Sequence, residues 1–118
     1  MLRVVPRVER GEAFNAGVAL FCRPLRYLGA RAELDAAVLR TLAPGCDPGE
    51  VRDQLDTLVA VAEGRPEGGH IATMPQSERF HWMTAPSSTI VQPSPVHTGL
   101  TEDPAAELEK LFAALVSR

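Results

Sequence analysis

"NAGVALFC", residues 15–22, decides the architecture. Val18, Leu20 and Cys22 alternate with Ala19 and Phe21, so an extended segment here is apolar on both faces. Such a strand suits a central place in a sheet, because a strand with one wet face shows a polar residue at every second position. Upstream, "LRVVPRV" (residues 2–8) puts Leu2, Val4 and Val8 on one face with period two, Pro6 sharing it, while Arg3 and Arg7 point the other way. Pro6 has no amide to donate, which predicts an edge strand or a bulge at that point. The polar stretch "ERGEAF" supplies the turn between the two strands. Downstream, "RPLR" makes the next turn and "YLGARAEL" a third strand, with Leu28, Ala30 and Ala32 on one side. Three strands joined by short links predict an antiparallel meander.

Helices follow the meander. Asp35 caps a short helix, "AAVLRTLA", that stops before Pro44-Gly45. Asp47, Pro48 at the first helical position and Glu50 three residues after the cap start a second, which runs through Val51, Leu55, Leu58, Val59 and Ala62 to Gly64. "GRPEGG" reads as a surface loop, "HIATM" as a short strand, and "SERFHWM" as a helical turn capped by Ser77. "STIVQ" is a later strand, and Asp103-Pro104 opens a last helix with Leu108, Leu111, Phe112, Leu115 and Val116 on one face. The expected fold is one α+β domain over residues 1–118. A small antiparallel sheet, the N-terminal meander plus the later strand, packs against about three helices on one face.

Composition bounds the function. A chain of 118 residues buries enough surface for a core without metals or disulfides. Cys22 and Cys46 have no metal-ligand spacing, and no disulfide framework or signal peptide is present, so a reducing cytoplasm is the expected setting. No apolar run reaches the length of about 18–20 residues needed to cross a membrane. The first forty residues hold seven arginines against four acids, yet the whole chain is at −3 with a pI near 5.6. That balance argues against nucleic acid as a partner, since such binders carry a basic footprint.

Residues 80–99, "FHWMTAPSSTIVQPSPVHTG", hold the single tryptophan and two of three histidines. Pro86, Pro93 and Pro95 forbid helix around them and extend the residues before them. Phe80, Trp82, Ile90 and Val96 are the expected tethers, leaving hydroxyls and a histidine as a recognition surface.

The chain resembles the bacterial family DUF3037 over about residues 2–116. The likeness rests on "PRVERGEAFNAGVALF", "LGAR", "PQSERFHWMTAP" and "SSTIVQPSPVHTG", with Glu12, Asn15 and Gly17, then Glu78, Arg79 and Phe80 beside Trp82, then Ser88 and Thr89 followed by His97, Thr98 and Gly99. The family's name records no function. The resemblance implies a neighbour similar to a HipA-like kinase, hence a dedicated partner, and a bacterial source that fits eleven arginines to one lysine.

His97 has Ser94, Thr98 and Asp103 nearby, but no G-x-S-x-G holds a nucleophile on a strained elbow, so His97 is the catalytic candidate only in a weaker sense. The plainer reading has His97 bonding a backbone carbonyl to pin its loop. His70, His81 and His97 with Glu78 lack the i, i+4 spacing of a metal site, and no metal or cofactor is expected. Arg79 either forks onto Glu12 or a backbone carbonyl while Phe80 and Trp82 fill the core, or joins Asn15, Thr89 and His97 as an anion-binding set. The binding candidates are thus Glu12, Asn15, Glu78, Arg79, Ser88, Thr89, His97 and Thr98. Three readings follow: a non-enzymatic interaction or regulatory module acting with a HipA-like kinase, a small hydrolase or transferase with an anion pocket around Arg79 and His97, and a structural subunit of a homo-oligomer.

Overall fold

The computed structural model describes residues 1–6, 12–85 and 90–116. Strands β1 (Leu2–Val4), β2 (Phe14–Cys22), β3 (Tyr27–Ala32) and β4 (Val91–Pro93) form an antiparallel sheet in the order β3-β2-β1-β4. The meander and the later strand are as expected, but β1 is not an edge: β4 pairs along its outer side. The ladder simply ends before the proline. Val5 still donates its amide to Ile90 O at 2.7 Å, and Pro6 lies beyond. Arg7 and Val8 fall outside the described residues.

One irregularity in β2 sorts the core. Leu2 pairs with Gly17 while Arg3 pairs with Asn15, so Ala16 is an extra residue and the strand bulges there. Alternation inverts across the bulge. Phe14 and Ala16 before it, then Ala19 and Phe21 after it, meet one layer of helices, whereas Val18 and Leu20 face away from that layer. Gly17 serves a close approach of chain to chain. A Cβ added there would sit 2.9 Å from the carbonyl oxygen of Arg31 and 3.1 Å from Leu2 Cδ1. Gly17→Val is therefore expected to destabilise the fold by about 1–3 kcal/mol. Gly45→Ala, whose added methyl meets nothing within 4 Å, should move the urea midpoint little.

Three aspartates start helices where the sequence places them. Asp35 accepts from the amides of Ala37 and Val38 to open α1 (Ala36–Leu42), and Asp47 accepts from Gly49 to open α2 (Pro48–Glu63). Gly64, at φ 71°, closes α2 in the left-handed conformation that glycine adopts without strain. Two expectations fail in the next stretch. Residues Pro66–Thr73 form two short 3₁₀ segments that meet at a kink at Gly69 (φ 71°) instead of a loop and strand, because Ile71 and Ala72 turn inward beside Val61 of α2. The following helix, α3 (Gln76–Thr84), starts after Pro75, so Ser77 is not its cap.

Helix α4 (Pro104–Leu115) is opened by Asp103, which accepts from Ala106. It lies on the other side of the sheet. Leu108, Phe112 and Val116 pack on Val18, with Leu20 and Tyr27 at the margin. Arg31 of β3 clamps this layer, holding both Glu109 oxygens at 2.8 and 2.7 Å while stacking 4.5 Å over the Phe112 ring. The helices thus divide between both faces, correcting the one-face arrangement. β2 is apolar on both sides because each side is covered. No described helix is long and apolar enough to cross a membrane.

Candidate functional site

Arg79 leaves α3 and reaches the end of α2. Its Nη1 donates to Val61 O and Ala62 O, both at 2.9 Å. The last carbonyls of a helix have no partner within the helix and carry its negative dipole end, so a guanidinium is well matched to them. Of the alternatives drawn from the sequence, this is the fork onto backbone carbonyls. Asn15 serves another joint: its Nδ2 donates to Leu115 O at 3.2 Å, tying β2 to the end of α4. Asn15 pairs with Arg3, on the opposite sheet face from Leu2 and Val4. The sheet therefore separates Asn15 from the helical layer in which Arg79 works.

The remaining candidates are also dispersed. Glu12 precedes β2 and is half-buried, and Glu78 is exposed on α3. His97 and Thr98 are exposed in the extended segment between β4 and α4, and no described residue bonds the His97 ring. Ser88 and Thr89 lie outside the described residues. Among the described residues, no group of three His, Cys, Asp or Glu could hold a metal ion. Cys22 and Cys46 are free thiols, and burial, helped by Glu50 and Asp47, pushes the Cys46 thiol above its usual range.

The tethers of residues 80–99 divide as well. Phe80 is half-buried with its ring centroid 5.2 Å from that of Phe21, and Ile90 packs against the core. Trp82 and Val96 are 43% and 56% exposed, so neither anchors the segment. The error has a simple geometric source. Residues two apart share a face in a strand, but in a helix they diverge by roughly 200°. Phe80 and Trp82 could share a buried face only in extended chain; in the helical turn that α3 forms, burying Phe80 and Met83 turns the indole outward.

That outward indole borders a concavity. A groove of about 520 Å³ lies between α2, α3 and the β1–β4 side of the sheet. Leu2, Val91 and Pro93 line it from the sheet, Leu58 from α2, and Trp82 and Met83 from α3. Asp53 and Thr57 line it from the exposed side of α2. A second cavity of about 460 Å³ lies across Trp82, lined by Ile71 and Met74 as well as Glu78 and His81 of α3. Trp82 and Ala85 belong to both. Neither is lined by Arg79 or His97. The groove went unread in the sequence; the available signal was the helical period itself, which sets Trp82 apart from Phe80 and Met83.

The model of one protein family, described as a protein of unknown function (DUF3037), matches residues 1–116, nearly the whole chain. No curated protein and no solved structure matches it.

Proposed function

The chain belongs to the DUF3037 family, and we propose that it works as a non-enzymatic interaction module, docking through the Trp82 groove onto a HipA-like kinase as an accessory or regulatory subunit. The observation that carries this reading is the half-exposed Trp82 standing over an apolar groove of about 520 Å³. Large aromatic side chains beside a desolvated pocket are the commonest anchors of protein interfaces. Arg79 is already bonded to two carbonyls of α2 and Asn15 to one of α4, which supports structural roles for both. The free thiols of Cys22 and Cys46 suit a reducing cytoplasmic setting.

Co-expression with a HipA-like kinase from the same genome, followed by affinity capture and a sizing column, tests the reading. The two chains are expected to elute together. Trp82→Ala is expected to weaken capture by about 30-fold, the effect of a hot-spot residue worth about 2 kcal/mol. Clean separation of the native chains would overturn the proposal.

A further inference from the structure

Helix α3 connects two surfaces that complement each other. At its start, Gln76 Nε2 donates to Arg26 O at 2.9 Å, which fixes α3 against the β2–β3 turn. That turn is "Arg23-Pro24-Leu25-Arg26", wholly exposed, with Leu25 at 51% and Arg26 held at φ 50°. It presents an apolar side chain between two guanidinium groups that no described residue pairs. Near the far end of α3 stands Trp82 over the groove, and from it the second cavity runs back along the helix past His81 to Glu78 and Ser77. The charged carboxylates lining them are Asp53 and Glu78, likewise with no described ion-pair partner. Arg79, next to Glu78 in sequence, points away to α2 and leaves that charge unbalanced.

We infer that a second copy of this chain covers the groove: the Arg23–Arg26 turn of each copy docks at the Trp82 groove of the other, with α3 running antiparallel to its symmetry mate. The geometry favours a closed pair. Turn and groove sit at opposite ends of one helix, about 9 Å apart along its axis for the six residues from Gln76 to Trp82. A two-fold axis crossing α3 near its middle exchanges the two ends, so both turn–groove contacts form at once and the assembly closes. The outward stripe of α3, Ser77, Glu78, His81 and Trp82, then lies at the centre of the contact. Leu25 enters the mainly apolar groove, and Arg23 and Arg26 meet the Asp53 carboxylate and the indole face, where a guanidinium binds well.

This inference goes beyond docking on the kinase, and the two occupants compete. Self-association would cover the groove when the kinase is absent, and kinase binding would release the pair.

Sedimentation of the native chain without kinase, up to about 0.5 mM where even weak pairs form, tests it. A dimer is expected, with the emission of Trp82, the single tryptophan, shifting to the blue as the dimer forms. Leu25→Asp and Trp82→Ala should each weaken dimerisation at least tenfold while leaving the circular dichroism spectrum unchanged, since both side chains are exposed. Mixing the two variants should restore part of the association, because the intact turn of one meets the intact groove of the other. A native chain that stays monomeric overturns the inference, as does a dimer indifferent to both substitutions or variants that fail to complement. Each of those outcomes leaves capture of the kinase as a separate result.

Discussion

Leu55→Ala is expected to lower the stability of the chain by about 2–5 kcal/mol. Leu55 is 2% exposed and sits in the middle of α2, in a cluster with Leu2, Val4, Phe14, Leu39 and Val51. Removing its branched end withdraws apolar surface from the core and leaves a cavity. Its walls are poorly able to collapse, because hydrogen-bonded strands form one side and helices the other. Domains of this size are stable by only about 5–15 kcal/mol, so the loss is a large fraction of the whole. The urea midpoint should fall with little change in slope. Leu100→Ala is the control: that side chain is fully exposed, and its loss should stay within about 0.5 kcal/mol. A Leu55 variant as stable as the Leu100 one would contradict the core described here.

Arg79→Ala is expected to cost about 2 kcal/mol and to loosen the end of α2 selectively. Its two charge-assisted bonds to Val61 O and Ala62 O, each at 2.9 Å, close a helix terminus that is partly shielded from water. After truncation Val61 O still accepts from the amide of Gly64 at 3.2 Å, while Ala62 O loses the donor described here. The gain is partly offset in the native chain, because Arg79 Nε is buried without a partner. Arg79→Lys should recover part of the stability, since an ammonium keeps the charge at the dipole's negative end but lacks the fork. Denaturation and hydrogen exchange of the last turn of α2 report the two effects. If Arg79→Ala left stability and exchange untouched, the side chain would be free for a ligand, and the anion-pocket reading would regain its footing.

Local chemistry made much of the fold legible. Asp35, Asp47 and Asp103 cap the helices they were expected to cap, and Gly64 ends α2, because a side chain two or three residues from an amide acts within one turn. The site was less legible. Glu12, Asn15, Arg79, His97 and Thr98 share polar character in the sequence, but whether such groups converge depends on which face each strand or helix presents.

By itself the sequence determined the strand meander, the later strand, the starts of α1, α2 and α4 and the apolar character of both faces of β2, because these depend on residue types a few positions apart. Only the tertiary structure decided that Ala16 bulges, so that Phe14 and Phe21 meet the same helical layer although an odd spacing separates them. It likewise placed α4 on the far face of the sheet and turned Trp82 outward into a groove. The physical reason is common to all three. A single inserted residue or a change of period inverts which side of an element is buried, and that choice is made by the packing of distant segments on each other.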